Sequence, residues 1–231
     1  MRQFSTSFGK IKAIDVMVDN TPQWVILFHG YGADAYDLQS LAEVLTPPEA
    51  SNWLFPQGVL EVPIGPGWAG RAWWNIDVEA LQRRQMQGEN VDLSGEKPEG
   101  LAKVRPGIFE MIKQLGVSWD QIVLGGFSQG AMLATDIFLH APETPRGLIL
   151  FSGALINKET WKPLIANRAG AKYFICHGNH DVVLPHRSAQ QLESLLNSGG
   201  MKGGLMTFNG GHEIPPNAIM KANEYLKGLG R

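Results

Sequence analysis

Short apolar runs alternate with stretches of helical periodicity along most of the chain. Seven runs have the length and composition of buried strands: residues 11–18, 23–29, 52–55, 121–125, 146–151, 172–177 and 205–208. Five stretches carry apolar residues at the spacing of one helix face: residues 35–45, 98–115, 129–140, 185–197 and 216–229. Because strands and helices alternate, we expect an α/β fold with a mostly parallel sheet of about seven strands flanked by helices.

Two local features add detail to this pattern. Asp19-Asn20-Thr21-Pro22 is a turn sequence, so the first two strands are predicted to form an antiparallel hairpin at the start of the sheet. Pro106 lies inside the second helical stretch, where it has no N–H to donate, and we expect it to kink or interrupt that helix.

Residues 57–95 show neither periodicity. This segment of 39 residues holds three of the seven tryptophans, Trp68, Trp73 and Trp74. Loops of this length in compact domains are usually functional or disordered, and the aromatic content argues against disorder. We predict an irregular wall over an active site; packing of the tryptophans onto the core is an alternative, and both can hold.

The bulk composition narrows the class of protein. A chain of 231 residues suits one α/β domain over residues 1–231, with no separate large cap domain. The net charge of −2 favours neither nucleic acid nor an anionic membrane surface. The N-terminal residues lack the apolar segment of a signal peptide, and no run approaches a membrane-spanning length, so we expect a cytoplasmic protein without stable membrane insertion. The single cysteine, Cys176, lies in an apolar run and is expected to be buried.

The segment Gly126-Phe127-Ser128-Gln129-Gly130 carries the first chemical signal. It follows a predicted strand and precedes a predicted helix, which is the context of a G-x-S-x-G nucleophile elbow. A serine at such a sharp turn has a positive φ, and side chains two positions before and after it would collide with the backbone. Ser128 is therefore the candidate nucleophile.

A serine hydroxyl needs a base and an orienting carboxylate to attack a carbonyl. In α/β-hydrolases the acid and then the histidine follow the serine in the chain. His212 comes after the last predicted strand in a glycine-flanked loop, and Asp181 lies in the loop after the strand before it. We predict His212 as the base and Asp181 as the acid. His140, His177 and His186 are interpreted as structural.

The oxyanion of a tetrahedral intermediate needs N–H donors. One is predicted to be the backbone N–H of Gln129, directly after the nucleophile, and the other that of Tyr31, in the glycine-rich loop at residues 29–34. His29 is expected to brace this loop. A metal site at His177, His180, Asp181 and His212 is disfavoured because the spacing lacks the helical pattern of zinc proteases, so neither metal nor cofactor is expected.

Five segments together resemble the phospholipase/carboxylesterase family of α/β-hydrolases: Leu27-Phe28-His29-Gly30-Tyr31-Gly32-Ala33-Asp34, Trp73-Trp74-Asn75-Ile76, Gly125-Gly126-Phe127-Ser128-Gln129-Gly130, His177-Gly178-Asn179-His180-Asp181 and Gly211-His212. The resemblance spans nearly the whole domain and implies the same triad and oxyanion donors. It also implies that Trp73 lies near the acyl group of the substrate. The sequence departs from the family's pattern at three places, which leaves the acyl-chain preference open: Ala131, residues 182–185 and residues 77–95.

These observations predict a serine hydrolase that cleaves carboxylic esters of small to medium acyl chains through an acyl-enzyme intermediate. Acyl thioesterase or lysophospholipase activity is the alternative within the same chemistry. A binding module that has lost catalysis is disfavoured because the sequence contains the predicted triad and both glycine-flanked loops that carry the oxyanion donors Tyr31 and Gln129. A peptidase is disfavoured because such enzymes normally carry a gating domain. The expected partner is a small-molecule ester, and apolar surface near the tryptophans makes a homodimer possible.

Overall fold

A central sheet of eight strands organises the molecule, for which the computed structural model describes residues 1–77, 80, 83–84, 86–87 and 91–230. The strands are β1 (Arg2–Thr6), β2 (Gly9–Val16), β3 (Trp24–Phe28), β4 (Asn52–Pro56), β5 (Leu60–Gly65), β6 (Trp68–Ala72), β7 (Ile122–Phe127), β8 (Gly147–Phe151), β9 (Lys172–Gly178) and β10 (Lys202–Phe208). The order in the sheet is β1-β2-β4-β3-β7-β8-β9-β10, and β5 pairs with β6 alone.

Six neighbouring strands, from β4 to β10 in the sheet order, pair in parallel. β2 pairs antiparallel with both β1 and β4, so β2 alone runs in the opposite direction. The predicted α/β architecture is therefore confirmed. The estimate of about seven strands missed β1, whose short alternating sequence buries only Phe4. The parallel strands place their carboxyl ends at one edge of the sheet, and loops at that edge can carry a site.

Helices cover both faces of the sheet. They are α1 (Leu41–Val44), α2 (Glu99–Lys113), α3 (Gln129–His140), α4 (Lys158–Ile165), α5 (His186–Ser198) and α6 (Pro216–Gly228). Side chains from α2 to α5 join one apolar core, and those from α1 and α6 join a second core on the opposite face. Strand β3 feeds both, because successive residues of a strand point to opposite faces: Ile26 enters the first core and Val25 the second.

The predicted hairpin between the first two strands is wrong. β4 lies between β2 and β3, antiparallel to β2 and parallel to β3. Asn52, the first residue of β4, holds the connecting segment in place: its Oδ1 accepts the N–H of Val18 at 2.8 Å, and its Nδ2 donates to the carbonyl of Thr21 at 3.0 Å. Residues 19–22 thus carry the chain from β2 past the start of β4 to β3, and β2 and β3 do not pair with each other.

Helix α2 continues through Pro106, so the predicted interruption does not occur. Pro106 lies on the exposed side of the helix, where water can solvate the carbonyl that loses its partner, and buried residues on the opposite side, Val104 and Ile108 among them, hold the helix against the core. Helix α1 is shorter than predicted, because turns replace its first half, and α4 was not predicted.

Part of the Trp-rich segment is regular. Strands β5 and β6 form an antiparallel hairpin, so the prediction that residues 57–95 are irregular is wrong for residues 60–72. The hairpin packs tightly on the loop after β3: Gly32 N–H donates to Arg71 O, and Arg71 N–H donates to Ala33 O, each at 2.8 Å. Residues 78–79, 81–82, 85 and 88–90 of the segment lie outside the described residues.

Cys176 is fully buried in β9, as expected, and burial raises the pKa of its thiol to about 12. Within the ranges given above, no helix has both the length and the apolar composition that crossing a membrane requires.

Candidate active site

Ser128 occupies a strained turn between β7 and α3. Its φ of 55° and ψ of −119° lie outside the regions that L-residues favour, and it is 8% exposed. The flanking glycines are required sterically, since a Cβ on Gly126 would lie 2.5 Å from Phe28 O and one on Gly130 would lie 1.8 Å from the same atom. The predicted elbow geometry is therefore present, at the carboxyl edge of the parallel strands.

His212 and Asp181 meet at the same edge. His212 Nδ1 lies 2.6 Å from Asp181 Oδ2, a charge-assisted hydrogen bond between loops that follow β10 and β9. Backbone contacts join these loops: His180 N–H donates to Gly210 O at 2.9 Å, and a Cβ on Gly178 would lie 2.2 Å from Gly211 O. The pair is thus held by the packing of two consecutive βα loops.

The carboxylate of Asp181 is buried and accepts several N–H groups. Its Oδ1 accepts the backbone N–H groups of Val183 and Leu184, each at 2.8 Å. Its Oδ2 faces His212 Nδ1, and His177 Nε2 lies 3.1 Å away. Burial alone would raise the pKa of Asp181, but the contacts from His177 and His212 outweigh it and hold this pKa well below its ordinary value. Asp181 is therefore an anion at neutral pH.

His212 is close to the nucleophile without being bonded to it. Its ring packs on Phe127, with ring centroids 4.7 Å apart, and both His212 and Ser128 line one pocket. Among the described residues no hydrogen bond joins His212 to the Ser128 hydroxyl. Catalytic hydrogen bonds of this kind often form only when substrate is bound.

The backbone N–H groups of Tyr31 and Gln129, near Ser128, have no acceptor within the described part of the chain. Gln129 is the first residue of α3, where helix geometry leaves the N–H groups without intrahelical partners and the helix dipole favours negative charge. Both residues line a pocket with Ser128. The arrangement can hold a developing oxyanion.

The side chain of Gln129 has a separate structural role. Its Oε1 accepts Trp73 N–H at 2.9 Å, and its Nε2 donates to Trp74 O at 2.7 Å. Trp73 is only 1% exposed, and its indole N–H donates to His29 O at 2.9 Å. Trp73 is expected near the acyl group of the substrate, but its buried side chain lines neither pocket at Ser128 and instead supports the loop at residues 29–34, whereas Trp74 lines a pocket with Ser128.

His29 braces the loop at residues 29–34, as expected. Its ring is buried, its Nε2 accepts Gly58 N–H at 2.9 Å, and its Nδ1 lies 2.7 Å from Gly30 O. These contacts require the proton on Nδ1. Burial lowers the pKa of His29, against the smaller opposing effect of its hydrogen bond to Gly30, so the ring stays neutral in this role.

Two pockets meet at Ser128. The inner pocket, of about 360 Å³, has a floor of buried apolar side chains: Trp74, Leu93, Met132, Ile156 and Leu184. The outer pocket, of about 910 Å³, is bounded by the β5–β6 hairpin, the loop at residues 29–34 and His212. Tyr31 and Ser128 line both, whereas His212 lines only the outer pocket.

Two residues that were not predicted from the sequence line the pockets: Met132 and the hairpin residue Ile64. Met132 lies four positions after Ser128 on α3, hence on the same face one turn further along, and this spacing is a signal that points to it. Ile64 gives no comparable signal, because its place depends on the packing of the hairpin.

The remaining histidines contact other parts of the fold. His140 Nδ1 bonds to the carbonyl of Asp136 within α3, and His186 Nε2 lies 2.8 Å from Thr207 Oγ1. His180 is exposed. Across the described ranges there is no group of three histidine, cysteine, aspartate or glutamate side chains placed to hold a metal ion.

Comparisons with known proteins agree with this geometry. A family model described as phospholipase/carboxylesterase matches residues 10–229. Acyl-protein thioesterase 1 of Eremothecium gossypii is 30% identical over 208 residues, covering 87% of this chain and 86% of the relative. Esterase YpfH of Escherichia coli is 27% identical over 207 residues, covering 89% and 82%.

The fold also matches solved structures. The crystal structure of esterase PE8 superposes with a TM-score of 0.76 at 23% identity, covering 95% of this chain and 99% of that one. The family match spans almost the entire chain, including all the segments that form the site. The chain therefore belongs to the phospholipase/carboxylesterase family of α/β-hydrolases, enzymes of the esterase and thioesterase class.

Proposed function

We propose that this protein is a serine hydrolase that cleaves carboxylic esters of small to medium acyl chains. The observation that carries the proposal is the convergence of three features at one sheet edge. These are the strained Ser128, the N–H groups of Tyr31 and Gln129, which have no acceptor among the described residues, and the His212–Asp181 pair at 2.6 Å. Acyl transfer by a serine nucleophile requires each of them.

In the proposed reaction, Ser128 Oγ attacks the acyl carbon while His212 Nε2 takes the hydroxyl proton. The former carbonyl oxygen becomes an oxyanion that accepts the N–H groups of Tyr31 and Gln129. Asp181 fixes the histidine tautomer with the proton on Nδ1 and stabilises the imidazolium. His212 then protonates the departing alcohol. In the second step water attacks the acyl-enzyme while His212 takes a proton from it, and His212 returns that proton to Ser128 Oγ as the carboxylic acid leaves.

We assign the acyl chain and the leaving group of the substrate to different pockets. The group that leaves first must be close to His212, because this histidine protonates it. Since His212 lines only the outer pocket, we place the leaving group there and the acyl chain in the inner pocket. The apolar floor of the inner pocket, around Met132, suits an acyl chain. Its volume of about 360 Å³ supports small to medium chains.

The alternative is acyl thioesterase or lysophospholipase activity. The acyl-protein thioesterase of Eremothecium gossypii supports the thioesterase version. The outer pocket, at about 910 Å³, has room for a large leaving group such as a thiol-bearing peptide or a glycerophosphate. The inner pocket, at about 360 Å³, supports short to medium acyl chains for either leaving group.

Matched oxygen esters and thioesters with acyl chains of increasing length separate these possibilities. We expect kcat/KM to peak at a short or medium chain and the oxygen esters to be turned over as substrates in their own right. A peak at long chains with thioesters strongly preferred would favour the alternative. Ser128→Ala serves as the inactive control in both series.

Three further proposals accompany this assignment: a single domain over residues 1–231, a cytoplasmic location and a homodimer. The exposed side chains of Ile64 (53%) and Trp68 (73%) on the β5–β6 hairpin support the homodimer as an apolar contact surface. Sedimentation of wild type and Trp68→Glu tests it, since a dimer through this surface would dissociate in the variant.

A further inference from the structure

His177 contacts the carboxylate that orients the proposed base. It lies near the end of β9, four residues before Asp181, and its side chain is fully buried. Its Nε2 is 3.0 Å from Leu184 O and 3.1 Å from Asp181 Oδ2. The proposed mechanism assigns this ring no part.

The hydrogen-bonding partners of His177 define which nitrogen carries its proton. The Nδ1 atom is buried and has no hydrogen-bond partner among the described residues, whereas Nε2 faces two acceptors. A buried N–H without an acceptor costs about 1–3 kcal/mol, so the proton belongs on Nε2. His177 Nε2–H therefore donates to Leu184 O, and Asp181 Oδ2 lies within 3.1 Å of the same nitrogen.

The two carboxylate oxygens of Asp181 have different kinds of partner: backbone N–H groups bind Oδ1, and histidine side chains contact Oδ2. The turn N–H groups of Val183 and Leu184 bind Oδ1. Oδ2 receives His212 Nδ1 at 2.6 Å and lies beside His177 Nε2. Leu184 donates its N–H to the Asp181 carboxylate, and its carbonyl oxygen lies 3.0 Å from His177 Nε2. The ring of His177 therefore contacts both the backbone of this loop and the carboxylate.

We propose that His177 is a positioning residue for the hydrolase reaction, which keeps Asp181 Oδ2 directed at His212 Nδ1. The inference rests on the proposed function of Ser128, His212 and Asp181. It extends that function by giving the acid a second histidine, which acts through Asp181 and does not touch substrate. A small rotation of the carboxylate would misplace His212, and a displacement of about 1 Å at such a site can cost about 100-fold in rate.

Two substitutions separate positioning from packing. His177→Gln keeps an N–H donor at a similar distance from Cβ, and His177→Met fills similar volume without a donor. Thermal unfolding first establishes that both variants are folded. Each is then assayed with a wild-type control on a p-nitrophenyl ester that the wild type hydrolyses, and kcat and KM are determined separately.

We expect His177→Met to lower kcat about 10- to 100-fold with KM within about 2-fold of wild type. His177→Gln should recover most of the loss. The proton between His212 Nδ1 and Asp181 Oδ2 supplies a readout without substrate: its far-downfield ¹H resonance should be present in wild type and His177→Gln and be lost or moved upfield in His177→Met.

A folded His177→Met variant with wild-type kcat and an unchanged resonance would overturn the proposal. So would equal losses in the glutamine and methionine variants, which would assign His177 to packing alone. A wild type that shows the resonance but hydrolyses no ester and no thioester would instead contradict the proposed function. In that case the resonance comparison still decides whether His177 orients Asp181.

Discussion

Asp181 Oδ2 lies 2.6 Å from His212 Nδ1, and the two residues are 31 positions apart in the chain. Their loops follow neighbouring parallel strands, β9 and β10, which deliver them to one edge of the sheet. Ser128 reaches the same edge at the end of β7. Parallel strand order therefore assembles the proposed triad from three separate segments, and each member can be tested by itself.

Replacing the proposed acid should abolish most of the activity without removing the side chain's volume. Asp181→Asn can no longer hold His212 in the tautomer with its proton on Nδ1, and we expect kcat to fall on the order of 10⁴-fold, as in other serine hydrolase triads. The measurement is ester hydrolysis under saturating substrate. Asp19→Asn, at an exposed turn position, is the control and should keep wild-type kcat. A loss under about 10-fold in Asp181→Asn would argue that Asp181 does not orient the base.

The low pKa of Asp181 makes stability depend on pH in a defined direction. The folded state binds a proton at this carboxyl less readily than the unfolded state, whose value is near 3.8. The stabilising contribution is therefore complete above about pH 4 and declines as the pH falls further, by up to about 1.4 kcal/mol per pH unit. Urea unfolding of wild type and Asp181→Asn between pH 7 and pH 2.5 measures it. The gap between the two should narrow only below about pH 4; a gap that stays constant down to pH 2.5 would contradict the assignment.

Gly130 should not tolerate a methyl group. An alanine Cβ at this position would lie 1.8 Å from Phe28 O, and a backbone atom of a central strand cannot move aside. We expect Gly130→Ala to destabilise the protein by at least the roughly 1–3 kcal/mol typical of overpacking. Gly228→Ala is the matched control, because no atom lies within 4 Å of its Cβ. Chemical denaturation measures both variants, and equal midpoints would show that the elbow is not closely packed.

The assignment of the acyl chain to the inner pocket predicts a change in chain-length preference. Met132→Phe places a larger side chain on the pocket floor, and kcat/KM for the longest acyl chain accepted should fall at least about 10-fold, since each excluded methylene is worth about 1–3 kcal/mol. Acetyl esters should be affected little. Ile64→Ala, on the outer pocket wall, should alter the response to leaving-group size and leave the chain-length profile unchanged. The reverse pattern would show that the acyl chain binds in the outer pocket and the leaving group in the inner pocket.

The elbow and the strand–helix alternation were predictable because they rest on local constraints. The glycines flanking Ser128 follow from backbone sterics, and the structure bears out the steric argument at Gly130. The positions of Asp181 and His212 followed from strand order, which periodicity reveals when strands are short and apolar.

Features that depend on distant partners were not predictable in the same way. The turn at residues 19–22 has the composition of a hairpin, but the side chain of Asn52 and the pairing of β4 make it a connection past the start of β4. Trp73 and Trp74 are adjacent and chemically alike. Which of them lines the pocket is decided by Gln129 and His29, more than 40 residues away in the chain, through hydrogen bonds that no local pattern encodes.

The central claim is that Ser128 is a nucleophile activated by His212. Labelling with a fluorophosphonate probe followed by peptide mass spectrometry tests it most directly, because the probe reacts covalently only with an activated hydroxyl. We predict a single adduct on Ser128 in the wild type, slower labelling in His212→Ala and no adduct in Ser128→Ala. A folded wild-type protein that stays unlabelled, or one labelled at another residue, would contradict the account.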